Sequence, residues 1–217
     1  MKNKINLKGK SCSKTKRQNN KPLELVIATG NKKKLKEIKY MLKGFNFRIT
    51  SLSDYKNLPR IIEDGQSFKM NAIKKAVTIS RYLKKLTIGE DSGLEVKILG
   101  NRPGIYSSRY AGKAATDEKN NKKLLKELKD VPMNKRQARY VCAVALADDK
   151  GLIGVVEGTC SGFIATEKKG KAGFGYDPIF YIPKFKKTFG QLGERIKHRM
   201  SHRFKAFRKL REILTAY

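Results

Sequence analysis

The sequence predicts an α/β fold built around a mixed β-sheet with flanking helices, and three observations predict it. Apolar runs of strand length alternate with helical periodicity through the first hundred residues, the pattern of parallel strands joined by crossover helices. Two long runs rich in Val, Ala and Ile, 137–147 and 152–165, then follow each other across a four-residue turn, as antiparallel partners do. A chain of 217 residues with 39% hydrophobic content can bury a substantial core, as one large domain or two small lobes.

Element by element, residues 23–28 form an apolar strand that ends in Thr29-Gly30-Asn31. Asn31 is suited to cap a helix over 32–42, whose Leu35, Ile38 and Leu42 share a face. A second strand is expected at 47–52, followed by a loop over 54–65 that contains Pro59. From 67 to 84 the positions Phe68, Ala72, Ile73, Ala76, Ile79 and Leu83 recur at helical spacing. A short strand at 86–88 should lead into a Gly-bounded acidic turn, Gly89-Glu90-Asp91-Ser92-Gly93-Leu94, with another strand at 94–99. Thr116-Asp117-Glu118 reads as the cap of a helix over 118–128. Asp148-Asp149-Lys150-Gly151 is the hairpin turn between the two long strands, 170–175 is a glycine-rich loop, and 201–214 is a closing helix.

Charge sets the chemical background. Fifty Lys and Arg against 19 Asp and Glu give a net charge of +31. Eight of those cations and no acid fall in residues 1–21, which read as a disordered basic extension ahead of a domain over 22–217 that still carries +23. Such a surplus suits polyanionic ligands, nucleotide phosphates or nucleic acid, but equally a Lys-biased composition. No apolar stretch reaches the roughly 20 residues of a membrane span, and the start has no secretory pattern. Cys12, Cys142 and Cys160 are sparse and odd in number, and only two histidines occur, so reduced thiols in the cytoplasm are expected and a Cys/His metal centre is not.

Three segments carry candidate chemistry. Thr29-Gly30-Asn31-Lys32-Lys33-Lys34 places small polar residues and cations at a helix N-terminus, where free N–H groups and the helix dipole attract an anion; the same turn also serves as an ordinary cap. Two adjacent carboxylates facing an anionic ligand need a divalent cation between them, and oxygen ligands of this type suit Mg²⁺. In Gly173-Phe174-Gly175-Tyr176-Asp177, glycines let the backbone approach a ligand, Phe174 offers a stacking face for a base, and Asp177 can accept from base N–H groups. Lys197 and Ser201-His202-Arg203 add donors before the last helix.

Taken in order, these blocks resemble the inosine triphosphate pyrophosphatase family, closest to its bacterial-type branch. The resemblance runs from about residue 23 to 214 and rests on Ala28-Thr29-Gly30-Asn31-x-x-Lys34, Asn71-Ala72-x-x-Lys75-Ala76, Asp91-Ser92-Gly93-Leu94, Pro103-Gly104-Ile105-Tyr106-Ser107-x-Arg109-Tyr110, Phe174-Gly175-Tyr176-Asp177-Pro178 and Ser201-His202-Arg203. It implies a two-lobed fold with the active site in the cleft between lobes, and a Mg²⁺-dependent homodimer hydrolysing ITP, dITP and XTP to monophosphate and pyrophosphate. Residues 29–34 and Lys75 would bind the triphosphate. Asp91 would be the metal-linked carboxylate and proton acceptor, and Ser92 a substrate contact. Phe174, Gly175, Tyr176 and Asp177 would hold base and sugar, and Lys197, His202 and Arg203 would read the purine six-position oxygen. Where the family commonly has two acids before the Gly at 65, this chain has Ile62 and Glu63, so Glu63 is the second metal candidate, with Asp64 beside it; Met70 stands where a Glu is common. The rival readings are a basic nucleic-acid-binding protein, for which no recognised motif is present, and a pyrophosphatase for other modified nucleotides.

Overall fold

Eight strands form a single sheet among residues 22–217, the part of the chain that the computed structural model describes; the basic extension expected at 1–21 lies outside the described residues. Strand β1 (Leu23–Ile27) lies between β2 (Phe47–Ser51) and β3 (Leu86–Val96) and runs parallel to both. The crossovers that parallel pairing demands are supplied by α1 (Lys32–Met41) and α2 (Phe68–Leu83). Beyond β3 every pairing is antiparallel. The two-residue β4 (Arg102–Pro103) borders the end of β3, and α3 (Asp117–Glu127) precedes the return to the sheet. Then β5 (Gln137–Ala147), β6 (Leu152–Ile164), β7 (Phe180–Ile182) and β8 (Lys187–Thr188) extend the sheet outward. A short α4 (Glu194–Met200) and the closing α5 (His202–Ala216) complete the chain. The mixed α/β sheet is therefore the one expected, down to the hairpin turn, where the Asp148 carboxylate accepts from the Lys150 and Gly151 amides at 2.9 and 3.1 Å.

One expectation fails, and its failure positions the site. The acidic segment is not a turn: Gly89 to Leu94 lies mid-strand, paired residue for residue with Ala145 to Tyr140 of β5. Its glycines serve close packing instead of bending. A Cβ at Gly89 would lie 2.1 Å from the Ala72 carbonyl of α2, and one at Gly93 would lie 2.4 Å from Ser107 Oγ. The strand expected at 94–99 accordingly stops at Val96, and Lys97–Leu99 is a 3₁₀ turn.

The two 11-residue strands β3 and β5 serve two cores. At one end, Ile88 of β3 and Cys142, Val144 and Leu146 of β5 pack with Leu25 and Ile27 against Ile38 of α1 and Phe207, Leu210 and Leu214 of α5. At the other end, Leu94, Val96, Ala138 and Tyr140 join Leu124, Ile179, Phe180 and Phe189. On the opposite face, Ala143, Ala145 and Ala147 are small enough for α2 to settle through Phe68, Ala72 and Ala76. Residues 89–92 lie where one core gives way to the other.

Candidate active site

A cleft of about 480 Å³ opens at that crossing, with Asp91, Ser92 and Gly93 in its lining. The β1–α1 junction forms one wall. Asn31 caps α1 as expected: its side-chain oxygen accepts from the Lys33 and Lys34 amides at 2.9 and 3.2 Å, and Thr29 Oγ1 accepts from the Asn31 amide at 3.2 Å. These oxygens and the Asn31, Lys33 and Lys34 amides are thus occupied in shaping the turn, leaving the Asn31 side-chain Nδ2 and the Gly30 and Lys32 amides for an anion. A Cβ at Gly30 would meet no protein atom within 4 Å, so packing does not demand glycine there, and the space faces the cleft that Gly30 lines. Lys34 lines the cleft, whereas Lys32 and Lys33 are exposed outside its lining; Lys33 reaches Asp117 across the mouth at 3.6 Å.

Alternation along β3 sends its two acids to opposite faces of the sheet. Asp91 faces α2. Its Oδ1 accepts from Lys75 Nζ at 3.0 Å and its Oδ2 from Asn71 Nδ2 at 3.2 Å. Asn71 in turn accepts the Gly65 amide at 2.8 Å, tying the strand to the segment that carries Glu63. Glu63 Oε2 lies 2.8 Å from Lys75 Nζ, so two carboxylates converge on one ammonium. Burial pushes the Asp91 carboxyl above its ordinary range, and the opposing pull of Lys75 and Lys34 does not cancel it, in part because the charge of Glu90 adds to the upward push. Asp64 points elsewhere, paired with Lys74, and Ile62 is exposed.

Glu90 faces α5 and is sealed from solvent. Its Oε2 lies 2.8 Å from Lys34 Nζ; its Oε1 accepts from Arg203 at 3.1 and 3.3 Å and from the Cys142 thiol at 3.3 Å. Burial alone would raise this carboxyl, but Lys34 and Arg203 outweigh it and hold it well below the ordinary glutamate range. The pairing continues as an alternating chain: Arg203 also holds Glu37, Glu37 accepts from Lys197 at 3.1 Å, and Lys197 donates to Asp177 at 2.7 Å. Arg203 further donates to Ser92 Oγ at 3.0 Å. Buried charges survive only when paired in this way.

At the far end, Asp177 shapes the aromatic loop. Its carboxylate accepts the Phe174 amide at 2.8 Å besides Lys197, an approach that needs the positive φ of +80° at Gly173, where a Cβ would collide with it. The N-terminus of α3 grips Gly175 from both sides: its amide donates to Asp117 at 2.9 Å, and its carbonyl accepts from Asn121 at 2.8 Å. The Phe174 ring is left half-buried with Lys197 Nζ at 4.6 Å and Arg203 at 5.7 Å from its centroid. Tyr176 is buried and donates to the Ser107 carbonyl at 2.9 Å. His202 stacks on Tyr140, ring centroids 4.6 Å apart and planes within 8°. Burial and the neighbouring cations hold its imidazole neutral, and its Nδ1 is buried with no hydrogen-bond partner among the described residues.

The structure thus brings Thr29, Gly30, Asn31, Lys34, Glu63, Lys75, Asp91, Ser92, Phe174, Gly175, Tyr176, Asp177, Lys197, His202 and Arg203 to one cleft, and leaves Lys32 and Lys33 at its rim. It also gives some of them partners that the sequence did not suggest. Asp177 is engaged by Lys197 and the Phe174 amide, not held in reserve for a base, and most N–H groups of Arg203 are committed to Glu37, Glu90 and Ser92. Glu37, Asn71, Glu90, Asn121 and Tyr140 belong to the site's framework without having been assigned a role from sequence. The one signal for Glu37 was an isolated acid in the otherwise basic helix 32–42.

Comparison with known proteins finds relatives along nearly the whole described chain. The profile of the Ham1 family matches residues 25–213. The chain is 47% identical over 190 residues to the dITP/XTP pyrophosphatase of Rhodopirellula baltica, covering 87% of this chain and 91% of that protein. Among solved structures, the Ham1 protein of Staphylococcus aureus superposes with a TM-score of 0.80 at 40% identity, covering 89% and 98% of the two chains. A HAM1 protein from Coxiella burnetii gives 0.82 at 36% identity, covering 90% and 100%.

Proposed function

The chain belongs to the Ham1 family, and on that premise we propose that its cleft hydrolyses ITP, dITP and XTP to the nucleoside monophosphate and pyrophosphate. It is a nucleotide pyrophosphatase; the choice of non-standard purines is the finer reading. One observation carries it: a single cleft holds a capped helix N-terminus with Lys34, the Asp91–Lys75–Glu63 cluster, and the Phe174 ring with its cations. Anion, reaction centre and base each have a place in it.

In this reading the α1 N-terminus, Lys34 and Lys75 bind and orient the triphosphate. Asp91 accepts the proton of a water attacking the α-phosphorus, and the bond from that phosphorus to the bridging oxygen breaks, so that pyrophosphate leaves. In the metal-free protein burial raises the Asp91 carboxyl above its ordinary range, the direction a proton acceptor needs. Asn71 holds the Asp91 carboxylate in place through Oδ2. Two carboxylates that converge on the Lys75 ammonium offer the hard oxygen ligands a dication such as Mg²⁺ prefers, so Asp91 and Glu63 would hold the metal. When bound, the metal offsets charge on the phosphates and leaving group.

At the base end, Phe174 stacks on the purine while Lys197, Arg203 and neutral His202 face its six-position carbonyl. An adenine amino group there would oppose only the N–H groups that Lys197 and Arg203 have not committed within the protein, a mismatch that yields discrimination of about 10⁴ where a site is built for it. The homodimer that the resemblance implies and the cytoplasmic setting that the sparse cysteines suggest form part of the same proposal. No helix among the described residues is long and apolar enough to cross a membrane.

The test is hydrolysis in ¹⁸O-labelled water with Mg²⁺ over a panel of ITP, XTP, dUTP, GTP and ATP. Label in IMP, with unlabelled pyrophosphate and at least a hundredfold preference for ITP and XTP over ATP and GTP, is the expected result. Release of IDP and orthophosphate would discard the mechanism, and a preference for dUTP would discard the purine assignment.

A further inference from the structure

Lys75 is placed in the role of a triphosphate ligand, yet its ammonium does not face an open anion site. It projects from α2 with only 8% of its side chain exposed, and Nζ has three oxygen neighbours: Glu63 Oε2 at 2.8 Å, Asp91 Oδ1 at 3.0 Å and the Glu90 carbonyl at 3.2 Å. An ammonium has three N–H groups, so its donor capacity is used up within the protein. Two of the three acceptors are the carboxylates that would hold the metal. Glu63 comes from the loop before α2 and Asp91 from β3, so Lys75 is also what joins these two segments electrostatically. Asn71, one turn earlier on α2, reinforces that joint through the Gly65 amide and Asp91 Oδ2.

We infer that Lys75 is a placeholder for the metal: in the free enzyme its ammonium sits between Glu63 and Asp91, and a dication and the ammonium compete for that carboxylate pair. This rests on the reading of Glu63 and Asp91 as the metal's ligands. Two like charges drawing on the same oxygens repel each other, and neither carboxylate can serve both fully. Release of Lys75 from the pair frees N–H groups for phosphate oxygens, so metal entry and triphosphate capture by Lys75 belong to one exchange. The arrangement keeps Glu63 and Asp91 together and neutralised before substrate arrives, at the cost of weaker metal binding in the absence of nucleotide.

The consequence is opposite to that of an ordinary binding residue: removing Lys75 should tighten metal binding. Mn²⁺ alone, without nucleotide, is titrated into wild type, Lys75→Met and Lys75→Arg, with binding followed by the loss of the free-ion electron paramagnetic resonance signal. Lys75→Met should lower the Kd for Mn²⁺ tenfold or more, Lys75→Arg should stay near wild type, and adding Glu63→Gln to Lys75→Met should remove the gain. Circular dichroism checks the fold, and Lys75→Gln serves if Lys75→Met does not fold. Equal or weaker Mn²⁺ binding by the folded variants would overturn the placeholder role while leaving the metal site standing. Absence of Mn²⁺ binding in every variant at millimolar metal would overturn the metal assignment and the placeholder together.

Discussion

Glu90 and Asp91 follow each other on β3, yet one is sealed among cations on the α5 face while the other lies on the α2 face at the floor of the cleft. Both are desolvated, and desolvation pushes both carboxyls up. What separates them is the balance of nearby charge. Glu90 is held by two cations, Lys34 and an Arg203 that also serves Glu37, along with the Cys142 thiol, and stays ionised well below the ordinary range. Asp91 shares Lys75 with Glu63 and feels the charge of Glu90 beside it, so its carboxyl rises. The pleat of one strand thus divides an acidic pair into a fixed charge that organises the site and a titratable group able to take a proton.

The comparison is tested hardest at Asp91. Asp91→Asn keeps the shape and the hydrogen bond capacity toward Lys75 but removes the proton acceptor, and kcat should fall about 10³-fold, within the usual range for a general base. The loss in thermal stability should be small beside that of Glu90→Gln, because Lys75 keeps Glu63, although one amide donor now faces Asn71 Nδ2. A kcat within tenfold of wild type would give the base role to another group.

Glu90→Gln should show the reverse. Arg203 and Lys34 lose their shared counterion, and stability should drop by about 3 kcal/mol, the scale for breaking a buried pair from one side. Its pH signature has a definite sign. Because the folded-state pKa of Glu90 is lowered, its stabilisation is complete above the ordinary value of 4.5 and is lost only as pH falls below that, toward the folded value. Catalysis instead needs ionised Asp91, whose raised pKa makes kcat/KM decline as pH falls through it. Without the Glu90 charge, and with Lys34 no longer neutralised, that acid limb should move to lower pH. An unmoved limb in a folded Glu90→Gln enzyme, read from kcat/KM profiles, would mean the two faces do not sense each other.

Much of this was legible in the sequence, for reasons that can be located. The first two strands and α1 to α3 followed apolar periodicity or a cap: Asn31 and Thr116 accept backbone N–H groups at the helix starts as expected, and Ser67 does the same for α2. Motif order gathered most cleft residues. The acidic segment misled because Gly89 and Gly93 look like turn formers, and only the tertiary approach of α2 and Ser107 reveals them as packing glycines. The network of Glu37, Glu90 and Arg203 was equally hidden. Its members stand far apart in the chain, and nothing local distinguishes a buried ion pair from solvated charges. The short β7, β8 and α4 carry too few residues for a period to emerge.

The smallest expected effect comes from the third member of the Glu90 shell. Cys142 is fully buried on β5, and burial together with Glu90 pushes its thiol well above the ordinary range, so it stays protonated and donates to the carboxylate. Cys142→Ala removes that donor and a sulfur-sized volume while leaving Lys34 and Arg203 in place. Stability should fall by about 1–2 kcal/mol, a shift of a few degrees in Tm for a domain of this size. The kcat for ITP should stay within twofold, because Glu90 keeps both cations and Asp91 lies on the other face of the strand. A large loss of kcat with a small loss of Tm would show that the position of the Glu90 carboxylate, and not only its charge, is transmitted through β3 to the catalytic side.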